Sequence, residues 1–113
     1  MITHISPKQL AEWIAGATDG IRPLVLDVRE KWEQQTASIA PADFELVAIP
    51  MGEIPQRLAE LDPARPIACL CHHGMRSLRV AGFLESQGFE SVANITGGID
   101  AWSAELDPAV PRY

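Results

Sequence analysis

The stretch "PIACLCHHGMRSLRVAGFLESQGF", residues 66–89, decides the fold. Its first six residues form an unalternated apolar run of strand length, the mark of a strand buried on both faces. "CHHGMRS" (71–77) is too polar to continue that strand. A helix is predicted to start near Ser77, with Val80, Phe83 and Leu84 on its inner face and Gly88 as its stop. Strand, tight loop and amphipathic helix together make the repeating unit of a parallel α/β sheet.

The same grammar extends in both directions. "PLVLDV" (23–28), "ELVAIP" (45–50) and "SVANI" (91–95) are further short apolar runs. Between them lie helical patterns. Ser6-Pro7, with Gln9 three residues after the serine, reads as a capped helix start, and Leu10, Trp13, Ile14 and Ala17 follow at helical spacing. Ile54, Leu58 and Leu61 mark an amphipathic helix, and "GGIDAWSAEL" (97–106) opens a last one. Residues 106–113, with two prolines, read as a C-terminal tail. The expectation is one α/β domain over residues 1–113: three layers, a mostly parallel central sheet of about five strands, and helices on both faces. Trp13, Phe83 and Trp102 are expected in the core, and Trp32 in the core or a pocket wall.

Composition narrows the function. With 47% hydrophobic and 21% charged residues, a core is possible without disulfide or metal staples. A net charge of −6 argues against nucleic acid as a partner. The charge is uneven, however. No acid lies between Asp62 and Glu85, while Arg65, Arg76, Arg79, His72 and His73 do. Such a patch suits a small anion. The N-terminus lacks a basic start followed by an apolar run, and no segment approaches the roughly 18–20 apolar residues of a membrane span. A cytoplasmic location with reduced thiols is expected.

In parallel sheets, ligands bind beyond the carboxyl ends of the strands. "DVRE" (27–30), "CHHGMRS" and "TGG" (96–98) all fall at that edge. Cys71 ends its strand against the cationic loop. A short loop entering a helix aims backbone N–H groups at a common centre, and Gly74 allows positive φ or bare backbone there. A thiolate at Cys71 is therefore the candidate nucleophile, with His72, His73, Gly74, Met75, Arg76 and Ser77 as its substrate-binding loop. Cys69, mid-strand, reads as structural. His72 and His73 are either plain loop residues or participants. Asp27, Arg29 and Trp32 are candidates for the pocket rim, with Arg29 steering an anion. The competing reading of Asp27, Arg29 and Glu30 is an ion-pair network bracing the loop edge.

Rival chemistries fit less well. Cys69, Cys71, His72 and His73 are crowded into five residues with no second cluster, unlike the separated pairs of structural zinc sites, so no metal is expected. C-x-C is not the redox spacing C-x-x-C. Cysteine phosphatases carry C-x₅-R, whereas here Arg76 gives C-x₄-R, a ring one residue too small for phosphate.

Three motifs resemble the rhodanese-like family of sulfurtransferases: "LDVREKWE" (26–33), "CHHGMRS" against C-x-x-G-x-R-[ST], and "NITGGIDAW" (94–102) against a terminal G-G-x-x-A-W. "IPMGEIPQRL" (49–58) is also similar, and the likeness spans nearly the whole chain. In place of the family's G-H-I, the chain has Ala37-Ser38-Ile39, within the stretch 32–43 that would wall the site. The resemblance implies sulfur transfer through a Cys71 persulfide, a reaction that needs no metal or organic cofactor. The donor would be a small anion such as thiosulfate, or a protein persulfide, and the acceptor a thiol or cyanide. A non-enzymatic sulfur carrier or partner-binding module, and a phosphatase or arsenate reductase, remain alternatives.

Overall fold

The computed structural model describes residues 2–17, 22–40 and 43–113. Among these, five strands form one parallel sheet: β1 (Thr3–Ile5), β2 (Leu24–Asp27), β3 (Glu45–Ala48), β4 (Ile67–Leu70) and β5 (Val92–Ile95), in the spatial order β1-β5-β4-β2-β3. Every residue of β2, β4 and β5 is buried, because helices cover both faces. Their side chains alternate between two cores. Val25, Ala68, Leu70, Ala93 and Ile95 pack under α1 (Leu10–Ala17) and α5 (Gly98–Glu105). Leu24, Leu26, Ile67, Cys69 and Val92 pack under α3 (Ile54–Arg57) and α4 (Met75–Ser86).

The three-layer α/β expectation holds, with four corrections of detail. β1 carries only one buried residue, Ile5, and so leaves no apolar run to read. A six-residue helix, α2 (Lys31–Thr36), follows the second strand; its buried residue is Glu33, which inverts the usual amphipathic signal. The helix expected around Ile54 is a chain of three short turns, 3-10 at Met51–Glu53, α over α3, then 3-10 at Leu58–Glu60. The helix expected near Ser77 begins at Met75, because Gly74 at φ +99° turns the chain directly into it.

At the N-terminus, the Ser6 amide donates to Gln9 Oε1 at 2.9 Å, one half of the capping box. At the other end, Gly88 adopts φ +90° just after α4. Trp102 is in the core, while Trp13 and Phe83 are half-buried against it. Residues 106–113 are no loose tail. Val110 is buried, and its carbonyl accepts a 2.6 Å bond from Ser103 Oγ.

Candidate active site

β2, β4 and β5 all end at one edge, and the three polar segments meet there. Cys71 is the first residue beyond β4, and it is 1% exposed. Its Sγ accepts a hydrogen bond from the Gly74 amide at 3.0 Å, so the loop closes on the sulfur.

What orients the loop lies on another element. The amides of Ile99 and Asp100, at the start of α5, donate to the carbonyls of Cys71 and His72 at 2.8 and 3.1 Å. A trans peptide points its N–H opposite to its C=O. Turning these two carbonyls toward α5 therefore turns the His72 and His73 amides the other way. The latch requires close approach: a Cβ on Gly98, which has φ +59°, would collide with both carbonyls. A Cβ on Gly74 would lie only 3.0 Å from the Gly97 amide nitrogen. Beyond Gly74, the first amides of α4 are unpaired within the helix by its own geometry, and the dipole adds positive potential.

The loop side chains do different things from their backbones. Met75 is 67% exposed, its side chain in solvent. Ser77 is fully buried, and its Oγ donates to Asn94 Oδ1 at 2.5 Å, while Asn94 Nδ2 donates to the Gly74 carbonyl at 3.2 Å. Ser77 thus braces the loop from below, and its hydroxyl is committed away from any substrate. Arg76 does not stand free over the loop. Both its terminal nitrogens donate to buried Glu33, at 2.5 and 2.7 Å. That pairing raises the Arg76 pKa and, with the Arg76 guanidinium as the main cause, pulls Glu33 down to about 2.

The expected rim residues are placed differently again. Asp27 and Arg29 are buried, and they form a bidentate pair with contacts of 2.7 to 3.2 Å. Arg29 also donates to the Glu33 carbonyl and to Tyr113 Oη. With no exposed surface, Arg29 steers nothing; it ties the end of β2 to α2. Trp32 is 61% exposed and so lies outside the core, and it packs edge-on against Tyr113 at 6.1 Å. Ala37 and Ile39 are buried, whereas Pro41 and Ala42 of the stretch 32–43 lie outside the described residues.

His72 is sandwiched between rings. His73 stacks at 3.9 Å on one side and Tyr113 at 3.8 Å, nearly parallel, on the other. Burial and then the neighbouring His73 lower the His72 pKa. Its Nε2 is buried without a hydrogen-bond partner. His73 is exposed, with Nδ1 4.0 Å from Asp100. Cys69 is wholly buried, and burial pushes its thiol up to about 12. Among the described residues, no group of three His, Cys, Asp or Glu side chains converges to hold a metal ion, and no helix is long and apolar enough to cross a membrane.

Glu33, Asn94 and Tyr113 escape the sequence reading. The first two sit inside the quoted motifs, so their positions were in view, but their partners were not. Nothing in the sequence around Tyr113 links it to His72, Glu33 and Arg29, 41 to 84 positions upstream.

Comparison with known proteins agrees with this arrangement. The rhodanese-like domain pattern matches residues 6–105. A rhodanese-like/PpiC domain-containing chloroplast protein of Arabidopsis thaliana is 41% identical over 93 residues, 79% of this chain; the chain spans only about 30% of that relative's length. Thiosulfate sulfurtransferase GlpE of Actinobacillus pleuropneumoniae is 36% identical, with 98% of this chain and 95% of that protein covered. The crystal structure of a rhodanese-related protein from Thermoplasma volcanium superposes with a TM-score of 0.76 at 32% identity, covering 98% of this chain and 99% of that one. With Cys71 held in a glycine-turned loop at the carboxyl edge of a five-stranded parallel sheet, and a family match over nearly its whole length, the chain belongs to the rhodanese-like domain family.

Proposed function

We propose that the protein is a sulfurtransferase that carries sulfane sulfur on Cys71. The Cys71 thiolate attacks the outer sulfur of a donor such as thiosulfate or a protein persulfide. With thiosulfate, the S–S bond breaks and sulfite departs with the electron pair, leaving Cys71–S–S⁻. A thiol R–SH then takes the terminal sulfur as R–S–SH, or cyanide takes it as thiocyanate, and the Cys71 thiolate returns. The chain's role is to hold negative charge on the terminal sulfur with preorganised amides. The observation that carries this reading is the Gly74 amide on Cys71 Sγ, in a loop whose carbonyls are drawn off by α5. Three amides of the first turn of α4, those of Met75, Arg76 and Ser77, extend the donor set.

Intact-mass measurement after incubation with thiosulfate tests it. The expected result is the added mass of one sulfur, lost in Cys71→Ser and kept in Cys69→Ser, because Cys69 is buried and its thiol is held protonated. An adduct that survives Cys71→Ser refutes the assignment. An adduct that neither cyanide nor a dithiol removes makes the protein a carrier instead of an enzyme.

A further inference from the structure

The charge of the site differs from what its arginines suggest. Arg76 is the one loop arginine near Cys71, and its fork is spent on Glu33. Glu33 is held in turn by Tyr113, whose hydroxyl donates to Oε2 at 2.7 Å while accepting from Arg29 at 3.1 Å. Tyr113 lies beyond residues 6–105, the part that matches the family pattern. Its ring is fixed by the stack on His72. Val110 and Arg112 anchor the same segment, the latter through an ion pair with Asp100. Beside Arg76 opens a cavity of about 440 Å³, walled in part by Glu30, Glu53, Met51 and Val28. Its fixed charges are Glu30, Glu53, which pairs with Arg57, and Arg76, which Glu33 neutralises. His72, half-buried between two rings, has its pKa lowered by burial and then by His73, which favours the neutral ring.

We infer that Glu33, locked by Tyr113, withholds Arg76 from an incoming anion and so makes donor charge the basis of selection, favouring sulfur donors of low charge over dianionic thiosulfate. The inference rests on the sulfur-transfer reading and names the donor class of that same site. A dianion entering here faces Glu30 with no free guanidinium on Arg76 to offset it, because Glu33 already neutralises that arginine. A donor with one charge fewer at the same size meets less repulsion. Glu33 and Tyr113 are positioning residues: they act through Arg76 and touch no reacting atom.

Methanethiosulfonate is the probe, since CH₃SO₂S⁻ matches thiosulfate in shape and carries one charge less. Its loading of Cys71 gives Cys71–S–S⁻ and methanesulfinate, which leaves with the electron pair of the broken S–S bond. The quantity to read is the ratio of kcat/KM for methanethiosulfonate to that for thiosulfate, compared across the wild type, Glu33→Gln and Tyr113→Phe. Comparing ratios removes the intrinsic difference between the leaving groups. Freeing Arg76 by Glu33→Gln lowers the ratio about tenfold, through faster thiosulfate transfer. Tyr113→Phe, which keeps the ring and the stack, lowers it about threefold. If Glu33→Gln does not fold, Tyr113→Phe decides alone. A ratio unchanged within twofold, or equal slowing with both donors, overturns the inference, since plain structural damage does not distinguish donors by charge. Failure of both donors to load wild-type Cys71 would instead overturn the sulfur-transfer reading itself.

Discussion

Gly98→Ala tests the latch between the Cys71 loop and α5. Gly98 has φ +59°, and a Cβ there would collide with the carbonyls of Cys71 and His72. Those carbonyls are the acceptors of the Ile99 and Asp100 amides. Two costs follow. Left-handed backbone costs alanine about 1–2 kcal/mol. Displacing the loop to clear the methyl group forfeits two buried hydrogen bonds, about 1 kcal/mol each net. The sum is about 3–4 kcal/mol, a sizeable part of the roughly 5–15 kcal/mol that stabilises a domain. Gly88→Ala is the matched control: φ is +90°, but nothing lies within 4 Å of its Cβ. It bears only the first cost, so the two variants should differ by about 2 kcal/mol. In urea, with a slope of about 2 kcal/mol/M, that is a midpoint difference of about 1 M. Gly98→Ala should also slow sulfur loading of Cys71, because its amides lose their aim, whereas Gly88→Ala should not. Equal midpoint shifts in the two variants, or wild-type loading by Gly98→Ala, would show that the latch does not organise the loop.

Two further predictions concern titration. Glu33 is held near a pKa of about 2 against an ordinary 4.5, first by the Arg76 guanidinium, so the unfolded chain takes up its proton earlier than the folded one as pH falls. This contribution, about 3 kcal/mol, is fully present above pH 4.5 and fades as the pH drops toward 2. Urea midpoints measured from pH 6 to pH 3 should fall less steeply for Glu33→Gln than for the wild type; parallel curves would refute the pairing. Tyr113 is the chain's one tyrosine, so its phenolate absorbance reports it alone. Burial chiefly, with the adjacent Glu33 carboxylate adding to it against the opposing Arg29, pushes it up to about 12; the stability it contributes is complete below pH 10 and lost as the pH rises toward 12. A midpoint at the ordinary 10 would mean that the ring is not packed against the loop.

The sequence by itself determined the strands β2, β4 and β5 and the position of Cys71. A strand buried on both faces must be apolar throughout, and a polar, glycine-containing loop after it must leave the core. The same logic missed β1, where Ile5 alone is buried, and α2, whose buried residue is an acid. Local pattern reports how often a chain meets the core. It carries no record of which distant group a side chain will find.

That record belongs to the tertiary structure. Arg76 reads as a free cation beside Cys71 until Glu33, 43 positions away, is brought against it. The Ser77 hydroxyl reads as a substrate ligand until Asn94 takes it. Arg29 reads either as rim or as part of a bracing ion-pair network until the packing buries it on Asp27. The loop's geometry was legible because a backbone turn is a local property. The net charge at its mouth was not, because an ion pair is decided by two chain segments whose meeting only the fold brings about.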